Sequence, residues 1–363
     1  MGRSWRSLTA PVVLPCWPSA MPRRFPVLLL ASVVIAAFTT LGLFIFTMGR
    51  PLASPPLPPN PNGYDDFLRA SALLAGDVYG ASTLNHDDLW ALVSTNAEPL
   101  RLMRLGLTRQ CGVPTDATSP SLFGRMSQLA EIHRLALLVV AEGRLREMEG
   151  RPGDAAMSYV EAIRLGNETS RGGFHLNRLM GVLCEMDGFS PLAKLVAKLT
   201  CAETRPVMAE LDKVERARIT WDEIQANDRW NESRIPLQER ITMLNPVVWV
   251  KTSLRSQRSR QTAEQRHKVI TAYERLLAVE IALRCYESEQ GRVPARLEQL
   301  VPQYLQRVPS DPFSGRLMIY RPQGTNWLVY SVGEDGVDDG GKRMVRSVSG
   351  TVTKGDLFYD SPY

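Results

Sequence analysis

The sequence predicts a mainly α-helical protein with an N-terminal transmembrane helix, a helical body and a small C-terminal α+β module. Three observations support this prediction. Residues 25–48 are apolar and uncharged, apolar residues recur three and four apart between about 65 and 289, and the final part of the chain is rich in turn and strand residues. With 363 residues, 44% of them hydrophobic, the chain can bury one large core or two smaller ones.

Charge and cysteine content exclude some classes of function. The net charge of +5 arises from 43 basic and 38 acidic residues, a balance that does not indicate nucleic acid as a partner. The five cysteines form no CxxC pair and have no histidine at metal-ligand spacing, which argues against zinc. In an oxidising compartment Cys111, Cys184, Cys201 and Cys285 allow up to two disulfides, but the pattern favours buried free thiols.

The apolar run 25–48 is long enough to cross a bilayer, because about 20 such residues suffice. Arg23 and Arg24 precede it directly and only Arg50 follows closely, so the positive-inside rule places residues 1–24 in the cytoplasm. We therefore expect a single-pass protein of the bacterial inner membrane whose bulk is periplasmic.

Two alternatives concern this N-terminal part. A cleaved signal peptide is the first, since small residues near Ala53 offer a cleavage site, although the run exceeds the roughly 7 to 15 residues of such a segment. Met21 is a second possible initiator, because the basic and apolar features all follow it.

A proline-rich linker, 49–63, follows the membrane segment and predicts an extended stalk, because proline lacks the backbone donor that helices and sheets need. After it, Asp65 and Asp66 favour a helix start. The body, 64–261, is expected to be helical. With the helix that opens the next module, the predicted helices are 65–74, 87–107, 121–149, 154–165, 174–198, 202–227 and 262–290.

Residues 139–166 contain small and aromatic residues at helical-hairpin spacing. Small residues at such positions let two antiparallel helices approach closely. The positions are Gly143, Gly150, Ala155, Tyr159 and Ala162, and they resemble one tetratricopeptide repeat. A generic helical hairpin is the alternative, since no second copy follows.

The stretch 251–268 is the most basic part of the chain. We interpret it as a solvated connector, with contact to anionic lipid headgroups as the alternative. Contact with nucleic acid is disfavoured, because the predicted topology places this stretch outside the cytoplasm.

The C-terminal module, 262–363, begins with an amphipathic helix whose apolar face is formed by Val269, Tyr273, Leu277, Ile281 and Cys285. Residues 317–320 and 327–331 then read as two strands, and 322–325 as the turn between them. An antiparallel hairpin that packs on the helix is the expected structure.

Several short motifs follow in a particular order within this module. They are Gly291-Arg292-Val293-Pro294, then Leu297 and Leu300, Pro309-Ser310-Asp311-Pro312-Phe313, Tyr320, and Tyr330-Ser331-Val332-Gly333-Glu334-Asp335-Gly336. Over about 271–356 the chain thereby resembles the C-terminal domain of the major pseudopilin of type II secretion systems, whose members have matching G-x-x-P, P-x-D-P-[WF] and S-x-G-x-D-G motifs. The resemblance implies an α+β domain with a calcium-binding loop.

The loop supports this chemistry independently of the resemblance. It offers several hard oxygens within nine residues, and its glycines permit the tight turns that bring such ligands together. The calcium ligands that the resemblance implies are Ser331, Asp335, Asp338 and Asp339. A solvated acidic turn without a metal is the alternative.

Two departures from the pseudopilin pattern affect the functional interpretation. More than 200 residues separate the membrane segment from the module, and residues 21–24 do not match the peptidase site of that family. The chain is therefore not expected to assemble as a pilin subunit, and a shared fold does not imply a shared function.

The leading functional prediction is a non-enzymatic interaction or scaffold protein of the cell envelope with a protein partner there. An accessory component of a type II secretion or pilus-like apparatus is the first alternative. The second is a membrane-tethered hydrolase that uses carboxylates such as Glu142 and Asp154, or a Ser and His pair. Against it, the sequence shows no evident catalytic partner for His86, His133, His175 or His267.

Overall fold

The computed structural model describes residues 56–115, 122–234, 246–344 and 354–361, together with 32, 33, 35, 36 and 39. Within these residues the protein is mainly helical, as predicted, and its two strands pair in one antiparallel sheet. No helix of the described part is both long and apolar enough to cross a bilayer. The predicted membrane segment 25–48 lies outside the described residues, apart from the five positions named.

The α-helices of the described part are α1 (Gly63–Ala72), α2 (His86–Thr95), α3 (Ala97–Leu107), α4 (Leu122–Met148), α5 (Pro152–Ser170), α6 (His175–Leu195), α7 (Cys201–Arg216), α8 (Trp221–Ser233) and α9 (Pro246–Gln290). Short 3-10 helices lie at Tyr79–Thr83, Val196–Lys198 and Leu297–Leu300. The strands are β1 (Ile319–Gln323) and β2 (Asn326–Tyr330).

Helix α1 begins where the proline-rich linker ends. The Asn62 side chain accepts the N–H of Tyr64 at 3.1 Å, which caps the helix, and it also exchanges hydrogen bonds with the backbone of Gly112. Pro58 and Pro59 are half-buried. The last residues of the predicted stalk 49–63 therefore belong to the folded body, because an asparagine cap ties them to it.

Helices α4 and α5 form the predicted antiparallel hairpin. A Cβ atom added at Gly143 would lie 2.5 Å from the ring of Tyr159, so only glycine permits this approach. Ala155 and Ala162 are fully buried, and Gly150 adopts a φ of 73° in the turn. The hairpin is confirmed, whereas its resemblance to a tetratricopeptide repeat stays a prediction.

Two helices predicted as continuous are each broken in two. The segment 87–107 divides at the buried Asn96, whose side-chain amide bonds the backbone N–H and C=O of Ala75. The segment 202–227 divides between α7 and α8, where Thr220 and Glu223 form a capping box that starts a new helix. Both predictions of a single helix were wrong, because polar side chains satisfy the backbone at these points instead.

Helix α9 begins at Pro246 and is 45 residues long. It therefore includes the basic stretch 251–268 and begins before residue 262, where the sequence predicted its start. Residues 254–262 are exposed or half-buried, as expected of a solvated stretch. Burial begins at Ala263, since Ala263, His267 and Ile270 lie three and four residues apart and are buried on one face.

The predicted hairpin is confirmed with a shift in its strands. Gln323 pairs with Asn326, so Gly324 and Thr325 alone form the turn, and Pro322 belongs to β1. Gly324 has a φ of 65°, as a tight turn of this kind requires. The hairpin packs on α9 through a hydrophobic cluster that includes Leu283, Met318 and Val329, as expected.

The predicted apolar face of α9 is buried from Val269 to Ile281. It packs against α5, α6 and α7 in one hydrophobic cluster, which Met344 and Leu357 also join. Residues on both sides of the predicted boundary at 261 and 262 thus share a core. This packing places α7 beside α9, and the candidate site lies along that contact.

Candidate functional site

Ser331, the first predicted calcium ligand, is fully buried at the end of β2. Its hydroxyl donates to Oδ1 of Asp311 at 2.9 Å, and the other oxygen of Asp311 accepts the N–H of Val332 at 2.9 Å. Asp311 itself lies in the turn 309–313 and is 1% exposed. A buried carboxylate therefore joins this turn to the acidic loop, and Ser331 uses its hydroxyl within the fold.

Asp335 and Asp338 have different surroundings. Asp335 is exposed and accepts the N–H of Val337 at 3.1 Å. Asp338 accepts hydrogen bonds from Tyr330 Oη, from the N–H of Gly340 and from Arg321, each at 2.9 Å. The Gly340 N–H foremost, helped by Tyr330 and Arg321, lowers the pKa of Asp338 below its usual value.

Asp339 and Asp356 complete the acidic region. Within the described structure, Oδ2 of Asp339 is buried without a hydrogen-bond partner. Asp356 is fully buried and accepts the N–H groups of Asp339 and Gly341 at 3.3 and 2.7 Å. Burial, and then the charges of Asp338 and Asp339, raise the pKa of Asp356. Sequence reasoning missed Asp356, which lies outside the motifs and reaches the loop only through the fold.

The described residues contain no group of three or more His, Cys, Asp or Glu side chains placed to hold a metal ion. Asp335, Asp338 and Asp339 accordingly do not converge in this arrangement, and Ser331 is bound to Asp311. The four predicted ligands thus do not fit one ion as they stand. Calcium binding by this loop stays a prediction.

A groove of about 710 Å³ lies between α7, α9 and the segment 302–309. Its lining combines apolar side chains such as Met208 and Ala278 with six cations and four carboxylates. No motif indicated this groove, because three separate segments form it.

In the groove, four cations lie near the solvent and the carboxylates lie deeper. Its exposed cations have side chains between 58% and 73% exposed, whereas its carboxylates are at most 29% exposed. The cations are Arg205, Lys213, Arg216 and Arg307. The carboxylates are Asp212, Glu215, Glu274 and Glu289. The groove therefore presents mainly positive charge to solvent.

Buried ion pairs form one end of the groove. Glu274 pairs with Arg218, and Glu215 accepts hydrogen bonds from Arg218 Nε at 3.0 Å and from Arg275 Nη2 at 2.7 Å. Burial raises the pKa of Glu274 to about 7, although the charge of Arg218 acts in the opposite direction. These pairs connect the end of α7 to α9 and fix the separation of the two helices there.

A second buried ion pair lies within α6 and contacts α9. Arg178 binds both oxygens of Glu185, at 2.6 and 2.8 Å, and its Nε donates to Nδ1 of His267 at 2.9 Å. Burial, and then the neighbouring positive charges, lower the pKa of His267 to about 2. His267 is therefore a neutral acceptor that completes the shell of a buried guanidinium.

The residues considered for a hydrolase are engaged in ion pairs. Glu142 binds Arg104 and Arg146, and Asp154 binds Arg151. Three histidines have carboxylate partners: His133 contacts Asp187 at 2.8 Å, His175 contacts Asp228 at 3.0 Å, and the exposed His86 contacts its neighbour Asp87 at 2.9 Å. Sequence could not show the first two pairs, since more than fifty residues separate their members.

Comparison with known proteins gives no family for the chain. No protein-family model, curated protein or solved structure matches it. The functional interpretation therefore depends on the geometry of the groove and of the acidic loop.

Proposed function

We propose that the protein is a membrane-anchored, non-enzymatic interaction protein of the bacterial cell envelope. Its groove between α7 and α9 binds an acidic segment of a partner protein outside the cytoplasm. The observation that supports this function most directly is the arrangement of charge, with exposed cations at the rim and carboxylates turned inward. Residues 25–48 supply the anchor, as their uninterrupted apolar character indicates.

We infer an acidic partner because its negative charges would complement the exposed cations of the groove. Exposed cations that are already partly paired still attract a polyanionic segment and steer its approach. The apolar part of the lining, near Met208 and Ala278, offers contact to aliphatic side chains of the same segment. An extended peptide that alternates acidic and apolar residues matches both features.

Reversing the rim charge is expected to weaken binding of such a peptide. A fluorescent peptide of alternating glutamate and leucine is titrated with the full-length protein, and its anisotropy is measured. Lys213→Glu with Arg307→Glu should raise the Kd about tenfold or more, since each reversal turns an attraction of roughly 0.5–1 kcal/mol into a repulsion.

Arg101→Glu on α3 is the matched control, because Arg101 is also exposed but lies outside the groove. An equal loss of binding in the control would show a general charge effect and would refute the groove as the site.

A photoreactive residue at Ala209, which lines the groove, should capture the natural partner in cells. The same residue at the exposed Ala91 on α2 should not.

A role in a type II secretion or pilus-like apparatus is the second proposal. Its support is the contact between two motif segments of the pseudopilin resemblance, since Asp311 of the turn 309–313 binds Ser331 and Val332 of the loop. Deletion of the gene should then reduce secretion of that system's substrates. Unchanged secretion would contradict the proposal.

Calcium binding, which the resemblance implies, is tested by thermal melting with and without a chelator. If calcium holds the loop, chelation lowers the melting midpoint of the wild-type protein and has little effect on Asp335→Ala. A melting midpoint that chelation leaves unchanged in both proteins would show that calcium does not stabilise the loop.

A further inference from the structure

Two thiols lie together where α7 packs against α9. Cys201 is the first residue of α7 and Cys285 lies near the end of α9. The Cys201 thiol is close enough to raise the pKa of the Cys285 thiol. Thr204, one turn after Cys201 on α7, contacts both residues. Its hydroxyl donates to the carbonyl oxygen of Cys201 at 3.1 Å and lies 3.2 Å from Sγ of Cys285. All four cysteines of the described residues are free thiols, as the sequence favoured.

Contacts on either side hold this pair in register. The long side chain of Arg205 reaches Glu289 at 2.8 Å beside the pair. At the other end of α7, Arg275 binds Glu215 at 2.7 Å. Since the end of α7 lies beside the earlier residue 275 of α9 and its start beside 285, the two helices run antiparallel, and ion pairs hold them together on both sides of the thiols.

The two thiols differ in access. Cys201 is half-buried at the surface, whereas Cys285 is 7% exposed. Cys111 and Cys184 are buried at 4% and 0% exposure. An oxidant therefore reaches Cys201 first, because exposure governs thiol oxidation, and Cys285 is placed to react with the product.

We propose that Cys201 and Cys285 form a reversible disulfide that links α7 to α9, by exchange with a disulfide oxidant such as oxidised glutathione. The Cys201 thiolate attacks one sulfur of the oxidant, forms a mixed disulfide and releases the first thiol. The Cys285 thiolate then attacks Sγ of Cys201 and releases the second thiol. The two cysteines lose two electrons and two protons, and the oxidant takes up both.

Three consequences follow from the position of the pair. Burial, and then contact with Cys201, raise the pKa of the Cys285 thiol to about 12, so the second exchange is the slower step and accelerates as the pH rises. The disulfide also closes a loop of about 84 residues, and long loops give the larger stabilisation. Cys285 lines the groove, so the link stiffens one of its walls.

Oxidation of the reduced full-length protein with oxidised glutathione at pH 8 tests this inference. Peptide mapping should find Cys201 joined to Cys285, and two thiols fewer should react with maleimide after denaturation. The melting midpoint should rise by on the order of 5 °C. The peptide map requires no variant, so it remains decisive if a substitution impairs folding.

Cys201→Ser should abolish the shift in midpoint, and Cys16→Ser, which removes a cysteine that is not part of the pair, should retain it. The proposal is overturned if both thiols remain free after oxidation, if either pairs instead with another cysteine, or if Cys201→Ser shows the full shift. Partner binding plays no part in this assay, so its outcome is independent of the proposed function.

Discussion

Replacing Asp311 by alanine is expected to lower the free energy of unfolding by about 3 kcal/mol, since each buried group left without its partner costs roughly 1–3 kcal/mol. The carboxylate accepts the hydroxyl of Ser331 and the N–H groups of Val332 and Phe313, all at 2.9 Å. Alanine leaves the first two donors buried without an acceptor. Urea unfolding of the full-length protein, followed by circular dichroism, measures the change.

Asp335→Ala is the matched control for this prediction. It removes the same kind of side chain from the same module, but Asp335 is exposed and accepts one backbone N–H. Its loss should cost no more than about 1 kcal/mol. Asp311→Asn should fall between the two, because the amide keeps an acceptor for Ser331 but turns its NH2 towards the N–H of Val332. If Asp311→Ala and Asp335→Ala cost the same, the buried carboxylate is not what joins the two segments.

Features that depend on local periodicity could be predicted from the sequence. The apolar face of α9 from Val269 to Ile281 is buried as its spacing indicates, because every fourth residue of a helix returns to one side. The hairpin between α4 and α5 follows from Gly143 and Tyr159 in the same way. The β-hairpin was also predictable, although its register moved once Gly324 and Thr325 formed the turn.

Features that depend on distant partners could not be predicted. The break at Asn96 requires the backbone of Ala75, twenty-one residues earlier in the chain. The groove requires three segments to meet, and its ion pair between Arg218 and Glu274 spans fifty-six residues. No local pattern contains this information, because the packing of α7 on α9 creates it.

The acidic loop shows the same limit for a predicted site. Its residue types suggested a metal site, but side chains of this kind also satisfy backbone N–H groups in tight turns. Asp335 and Asp338 each accept such an N–H, and Ser331 is held by a carboxylate from another turn. The acidic composition identified the loop as a candidate site. The groups that donate hydrogen bonds to each oxygen are visible only in the folded structure.

Replacing Arg178 by methionine is expected to lower the free energy of unfolding by about 3–5 kcal/mol, because it leaves a buried charge without its partner. Arg178 and Glu185 are both fully buried, and the guanidinium binds both oxygens of the carboxylate. Burial, and the charges of Arg218, Arg275 and Lys268, still oppose protonation of His267 in the variant. Urea unfolding of the wild-type and variant proteins measures the loss.

The double variant Arg178→Met with Glu185→Leu shows how much of the lost stability comes from the unpaired buried charge and how much from altered packing. Removing both charges abolishes the unpaired carboxylate, so most of the lost stability should return, as for other buried pairs replaced by apolar side chains. Arg101→Met on α3 is the control, since its pair with Glu98 is exposed to solvent and should contribute little to stability. If the double variant is as unstable as Arg178→Met, the hydrogen bonds from Arg178 to His267 on α9 and to Ser170 on α5 contribute more to stability than the ion pair itself.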